Sequence, residues 1–222
     1  MSGITDKKVL ITGGTGSLGR VLAKRLIDQN NKVIVFSRDE GKQALLFGSE
    51  DRVTTVIGDI RDYNKLSTTL RLHRPDYVIH AAALKRIDDM EMYPDECIKT
   101  NINGSDNVAR AVLESGVHKC ILISTDKACQ PINVYGSSKF IAERLFTNYD
   151  YNSSDTIFSS VRYGNVIASR GSFIPLFIDN ILNGIPINVT SGLMTRFLFT
   201  LEDAADTVIN ALEHTVGGEV FV

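Results

Sequence analysis

Tyr135 and Lys139 stand four residues apart at the start of a helix-periodic segment, 135–149. That spacing puts both side chains on one helix face. A lysine ammonium beside a phenol favours the phenolate and lowers its pKa toward the working pH. Such a tyrosine can take the proton of an alcohol while a nicotinamide takes the hydride. The same spacing occurs on ordinary helices, so the pair gains meaning only from its neighbours. Just upstream, Ser124-Thr125-Asp126-Lys127-Ala128 follows the apolar run 120–123, which reads as a buried strand. Asp126 and Lys127 then fall at the carboxyl end of that strand, where open α/β sheets bind ligands.

Positioning such a group takes a scaffold, and the chain supplies strand and helix patterns in alternation. Residues 7–12 read as a first strand. The run Thr12-Gly13-Gly14-Thr15-Gly16-Ser17-Leu18-Gly19 follows at once, ahead of a helix-periodic segment, 20–28. Strand, glycine turn and helix in that order let backbone N–H groups approach a pyrophosphate at a helix N-terminus. A second strand, 32–36, ends in Ser37-Arg38-Asp39. An NAD enzyme usually has an acidic residue there for the ribose 2′-OH, whereas Arg38 suits a 2′-phosphate. NADP is therefore expected ahead of NAD, with Asp39 and Glu40 as the complication and a solvated Arg38 as the plain alternative.

A third strand, 52–57, leads to Asp59, which could contact an adenine amino group or cap the next helix, 63–73. The fourth strand, 77–81, runs into Ala81-Ala82-Ala83, small residues that leave room for a ribose or nicotinamide. Lys85 could face a diphosphate, the reactive site or solvent. Residues 88–92 are polar and mixed, and Pro94 starts a helix to about residue 114 with Asn101 inside it. An asparagine there is mildly unfavourable, which points to a buried hydrogen-bonding role. A sixth strand is expected over 156–161, a helix over 174–182, a turn into a short strand over 184–189 and a last helix over 201–214. A strand pattern opens at 219–222, where the chain stops; a truncated protein, a disordered tail or a natural short form are the readings open.

Six strands alternating with helices predict an α/β, doubly wound, Rossmann-like parallel sheet. One domain over 1–222 suits 222 residues that are 43% hydrophobic and 23% charged. The net charge of −2 with no basic block argues against nucleic acid. No apolar run approaches 18 residues, which argues against a membrane span. Cys97, Cys120 and Cys129 form no CxxC and fit a reducing cytoplasm, with Cys120 a buried strand residue and Cys129 either packed or reactive. His73, His80, His118 and His214 lack metal spacing and read as structural.

Taken together, these residues resemble the extended short-chain dehydrogenase/reductase superfamily. The nearest branch is the inverting UDP-N-acetylglucosamine 4,6-dehydratases. The resemblance covers residues 7–222. It is carried by Ser124-Thr125-Asp126-Lys127-Ala128 with Pro131-Ile132-Asn133, by Arg162-Tyr163-Gly164-Asn165-Val166 with Ser169-Arg170-Gly171-Ser172, and by Met194-Thr195-Arg196-Phe197. It implies an NADP-dependent lyase of polysaccharide biosynthesis. Tyr135 and Lys139 would oxidise the sugar C4 hydroxyl, Thr125 would hold the 4-keto oxygen, Lys127 would remove the C5 proton and Asp126 would help expel the C6 hydroxyl. Retaining relatives have Glu in the place of Lys127. A neighbouring Asp⁻/Lys⁺ pair would oppose both the neutral base and the protonated acid that this scheme asks for.

The resemblance also implies cofactor roles for Gly13, Thr15, Gly16, Ser17, Leu18, Gly19, Ser37, Arg38, Lys42, Asp59, Ile60, Ala81, Ala82, Lys85, Tyr135 and Lys139. It implies substrate roles for Lys85, Tyr163, Asn165, Arg170 and Arg196, with the substrate-binding segments mainly in 163–200 as a small C-terminal lobe, incomplete if the chain is truncated. Arg86, Asp88 and Ser191-Gly192 depart from the family pattern and bear on fine specificity. A UDP-sugar partner, no metal and a homo-oligomer complete the expectation. A 4- or 5-epimerase using the same Tyr and Lys is the second reading. An NADP-binding sensor or assembly subunit is the third.

Overall fold

The computed structural model describes residues 4–167, 173–189 and 191–222. In chain order the first half comprises β1 (Lys8–Thr12), α1 (Ser17–Asp28), β2 (Lys32–Ser37), α2 (Glu40–Phe47), β3 (Val53–Ile57), α3 (Tyr63–His73), β4 (Tyr77–His80), α4 (Ile87–Met92) and α5 (Pro94–Cys97). A π-helical turn, Ile98–Asn103, carries α5 into α6 (Gly104–Ser115). Then come β5 (Lys119–Ile123), a 3-10 turn at Asp126–Ala128, α7 (Val134–Tyr151), β6 (Ile157–Val161), β7 (Asn165–Val166), α8 (Phe173–Leu182), β8 (Leu198–Phe199), α9 (Leu201–His214) and β9 (Val220–Phe221).

The main sheet runs β3-β2-β1-β4-β5-β6-β9, every pair parallel. That is the doubly wound, Rossmann-like order, with the strand order reversing between β1 and β4. Strand alternation builds two cores. Val9, Ile11, Val33, Val35, Ile79, Ile121 and Ile123 face one side, against Leu18, Leu22 and Leu26 of α1 and Ala204, Val208 and Leu212 of α9. Leu10, Ile34, Phe36, Val78, Cys120 and Leu122 face the other, against Leu66 and Leu70 of α3, Val108 and Val112 of α6 and Phe146 of α7.

Five expectations need correction. The sheet has seven strands rather than six, because β9 pairs with β6. Residues 88–92 lie in a helix, α4. Residues 40–47, where no element was expected, form α2 behind an Asp39 cap whose side chain accepts from Lys42 N. Residues 185–189 are not a strand; a separate parallel pair, β7 with β8, forms instead. The cap of α3 is Asp62, accepting from Lys65 N, and not Asp59. No helix among the described residues is long and apolar enough to cross a membrane.

Candidate functional site

A cleft of about 1020 Å³ opens at the carboxyl ends of β1, β2, β3 and β4. Gly13, Thr15, Gly16, Ser17, Ser37, Arg38, Lys42, Asp59, Ile60, Ala81, Ala82 and Lys85 all line it. Gly13 is left-handed at φ +70, and a Cβ there would lie 2.8 Å from Ala82 Cα, so the glycine turn rests directly on the small-residue strand end. Gly16 caps α1 with no side-chain bond, and the α1 dipole points its positive end toward the turn. A nicotinamide dinucleotide fits these features: a backbone cradle and a helix N-terminus for its diphosphate. Leu18 and Gly19 do not line the cleft. Leu18 is core, and a Cβ on Gly19 would meet Gly13 O at 2.5 Å, so Gly19 serves the closeness of turn and helix.

At the far end of the cleft the charges are tied together. Arg61 donates from Nε and Nη2 to Asp59 Oδ2 and from Nη1 to Glu96 Oε2, while Arg38 Nη1 lies 3.7 Å from Asp59 Oδ2. Burial raises the Asp59 pKa, but bonds from Arg61 and the charge of Arg38 outweigh it and hold the carboxyl below its usual range. Lys42 pairs with Asp39, and Gln43 Nε2 donates to Ser37 Oγ at 2.9 Å. Desolvation lowers the Lys85 ammonium.

The second group forms where the loops after β5 and β6 meet α7. Asn133 caps α7, its Oδ1 accepting from Gly136 N. A Cβ on Gly136 would lie 2.3 Å from Lys127 O, so the Asp126–Ala128 turn rests on the first turn of α7. Asp126 N donates to Tyr163 O, which ties that turn to the end of β6. Thr125 Oγ1 donates to Asp126 Oδ1 at 2.9 Å. Lys127 Nζ donates to Asp126 Oδ1 at 3.0 Å and to Asn165 Oδ1 at 3.2 Å. The ion pair anticipated for Asp126 and Lys127 is therefore present, with both side chains partly exposed.

Tyr135 departs from expectation. Burial, with Asp126 and Cys97 nearby, outweighs the Thr125 hydrogen bond and pushes the phenol up to about 12 rather than down. Lys139 is lowered to about 8 by burial, against the pull of Glu143 and Cys97. Burial also raises Tyr163. Cys120 is buried as anticipated, but Cys129 is exposed rather than packed. Arg196 is exposed and donates to Thr195 O; among the described residues no hydrogen bond or ion pair joins it to Asp126 or Lys127. Arg170 lies outside the described residues.

Asn101 has the buried role its position called for. Its Oδ1 accepts from Leu84 N, and its Nδ2 donates to Leu84 O and to Ser138 Oγ. Ser105 Oγ spends its proton on Asn101 O, so His80 Nε2 must donate to Ser105 Oγ, and His80 Nδ1 must accept from Thr12 Oγ1. Burial keeps His80 neutral, its pKa near 3. A buried chain of polar groups thus links the glycine turn to α7. His80 reads as merely structural in the sequence, and nothing there ties it to Thr12. Sequence reasoning misses Glu143 and Arg162 as well. Glu143 is wholly buried and accepts from Ser124 Oγ and, in a two-point fork, from Arg162 Nε at 2.8 Å and Nη2 at 2.6 Å. Glu143 repeats the Tyr135-Lys139 spacing once more, a signal that the sequence does carry.

A profile of the family described as Polysaccharide biosynthesis protein matches residues 9–222. The chain belongs to that family. Among its relatives is the UDP-N-acetylglucosamine 4,6-dehydratase (inverting) of Campylobacter jejuni subsp. jejuni serotype O:23/36 (strain 81-176), 46% identical over 97% of this chain and 66% of the relative. Another is a UDP-glucose 4-epimerase of Rickettsia prowazekii (strain Madrid E), 43% identical over 98% of this chain and 66% of the relative. The X-ray structure of Pen from Bacillus thuringiensis superposes with a TM-score of 0.93 at 41% identity, over 97% of this chain and 70% of that one. The chain thus spans 66% of the length of these curated relatives.

Proposed function

We propose that the protein is an NADP-dependent, C5-inverting nucleotide-sugar 4,6-dehydratase, with UDP-N-acetylglucosamine as substrate. The observation that carries the reading is the Asp126–Lys127 pair, braced by Thr125 and Asn165 on the turn that packs against the start of the Tyr135 helix. An enzyme that only oxidises and reduces C4 has no need of an acid and an amine side by side at the strand end. When bound, the dinucleotide would accept the C4 hydride and later return it to C6, while Lys127 returns a proton to C5 from the opposite face.

The chain's own residues divide the remaining work. Tyr135 takes the C4 hydroxyl proton, and the buried positive charge of Lys139 favours its phenolate. Thr125 holds the oxygen that becomes the ketone, which acidifies the C5 proton. Lys127 accepts that proton in its neutral form, and Asp126 in its protonated form gives a proton to the departing C6 hydroxyl. Passing one proton from Lys127 to Asp126 within their 3.0 Å contact produces both required states at once. The opposition expected between the two groups is then a single internal proton transfer. Arg38 supports NADP over NAD by its charge at the cleft's far end. Tyr163, Asn165, Arg170 and Arg196 are assigned to the sugar nucleotide.

The test is incubation with UDP-N-acetylglucosamine and NADP in deuterated water, on this chain and on the full natural polypeptide. Loss of water, deuterium at C5 and an inverted C5 centre are expected. A 4-epimerase is the second reading, favoured by relatives bearing that name. It predicts an inverted C4 centre with no water lost, and that outcome would replace the dehydratase.

A further inference from the structure

Glu143 and Arg162 take no part in the steps above, yet Glu143 shares one face of α7 with Tyr135 and Lys139, and Arg162 reaches it from the end of β6. Tyr135, Lys139 and Glu143 are spaced by four along α7, so they stack on one side of the helix. Glu143 is fully buried and Lys139 nearly so. A buried carboxylate needs a partner, and Arg162 supplies one through a single guanidinium edge, Nε to Oε1 and Nη2 to Oε2. Counted together, Lys139, Glu143 and Arg162 carry one net positive charge in a region of low dielectric.

Glu91 on α4 accepts from Val134 N at the exposed start of α7 and lies outside this buried count, and the remaining groups around Tyr135 leave it unchanged. Asp126 and Lys127 cancel as a pair on the turn after β5. Tyr163 after β6 and His80 on β4 are neutral, and Cys97 Sγ on α5 accepts from Asn101 Nδ2. With Lys139 protonated, the local charge therefore reaches zero when the Tyr135 phenol ionises. We infer that Glu143, with Arg162, is a positioning residue that sets the ionisation of Tyr135. Its carboxylate cancels the arginine, so that the tyrosine faces the charge of Lys139 and no more. The inference rests on reading Tyr135 and Lys139 as the oxidising pair.

Binding energy alone gives a different account, in which the Glu143–Arg162 fork only fastens α7 to the end of β6. The two accounts part over the sign of charge changes. Glu143→Gln leaves Arg162 uncancelled and should lower the Tyr135 midpoint. Arg162→Gln leaves Glu143 uncancelled and should raise it. The double variant E143Q/R162Q and the charge-preserving Arg162→Lys should both return it to the starting value. A fastening role predicts no such opposition, and it predicts that the double variant is the most perturbed.

The experiment places 3-fluorotyrosine at position 135 of the full chain and follows its ionisation by fluorine NMR against pH. The fluorinated phenol is the more acidic, which brings the titration to lower pH. Shifts of about one pH unit in opposite directions for the two single variants, with the double variant near wild type, are expected. Shifts in the same direction, or none, overturn the inference. If neither single variant folds, the double variant decides: an unmoved midpoint supports the inference, and a shift of about one unit or more overturns it. The readout needs no turnover, so failure to dehydrate UDP-N-acetylglucosamine would strike the proposed function and leave this measurement standing.

Discussion

Arg38 and Asp59 hold one another loosely across the mouth of the cleft, at 3.7 Å, while Arg61 grips Asp59 at 2.8 Å. Asp59 is thus already satisfied by Arg61, and Arg38 can turn toward an incoming phosphate at little cost. Arg38→Ala should weaken NADPH binding by about tenfold or more, since a bond to a charged group contributes roughly 1.5–3 kcal/mol. NADH binding should hardly change. Titration of the cofactor's fluorescence distinguishes the two, and equal losses for both would remove Arg38 from cofactor selection. At Lys127 the expectation is different. Lys127→Ala should leave NADPH affinity intact and lower dehydration by about 10²–10⁴-fold, the usual contribution of a general base. Rapid-mixing absorbance should show reduced cofactor accumulating, because C4 oxidation does not call on Lys127. A variant that turns over normally would take the base role away from it.

At the scale of elements, what was legible depended on how strongly burial shaped the pattern. The helices at Tyr63–His73 and Leu201–His214 match their expected limits to the residue, since each carries a clear apolar stripe and a cap. The short helix α2 leaves little trace in the sequence, because Gly41 interrupts it and only Gln43 and Phe47 are buried. Residues 185–189 alternate Ile185, Ile187 and Val189 like a strand, but those side chains are exposed and no neighbouring strand among the described residues receives their backbone. The two-residue strands β7 and β8 are too short to leave a period. The chemical residues were legible because their types are unusual at strand ends, whereas the fork of Arg162 onto Glu143 spans 19 residues and depends on tertiary packing.

The packing of elements sets two further outcomes. Gly136→Ala places a methyl group 2.3 Å from Lys127 O, so either the Asp126–Ala128 turn or α7 must move. Overpacking of this kind costs about 1–3 kcal/mol. Turnover should fall by more than the loss of folded protein explains, as seen by comparing activity with melting curves. Glu219 closes the loop after α9. Burial would raise its pKa, but the N–H groups of Val216 and Gly217 and the Thr215 hydroxyl draw it down to about 2. Its folded pKa lies below its unfolded value of 4.5, so its contribution is whole above that pH and disappears as pH falls toward 2. Glu219→Gln should flatten the acid limb of the melting temperature over that window. An unchanged limb would mean that other carboxylates control it.

For the whole molecule, the parallel sheet gathers the cleft residues and the Asp126–Lys127 group at one end, since each strand delivers its following loop to the same edge. The cofactor cleft lies around β1 to β4 and the Asp126–Lys127 group around β5 to β7, joined by the polar chain from Thr12 through His80, Ser105 and Asn101 to Ser138. A ligand seated in the cleft should therefore stabilise the molecule as one unit. NADPH at a hundred times its dissociation constant should add about 2.7 kcal/mol to unfolding. Gly13→Val, which fills the cradle at a left-handed residue, should abolish that gain. A thermal shift that persists in Gly13→Val would place the ligand elsewhere.

The π-helical turn at Ile98–Asn103 has a bearing on descent. Such a turn bonds i to i+5 where an ordinary helix bonds i to i+4, so it holds one residue, or three bases of coding sequence, more. It costs hydrogen-bond geometry, and it would be lost whenever a matching deletion restored the regular ladder. A deletion here would also swing α5 by about 100° relative to α6, the angle between successive helical residues. Asn101 would leave Leu84 and Ser138. The extra residue is thus a heritable mark whose loss repairs the helix and dismantles the joint between the two halves of the site.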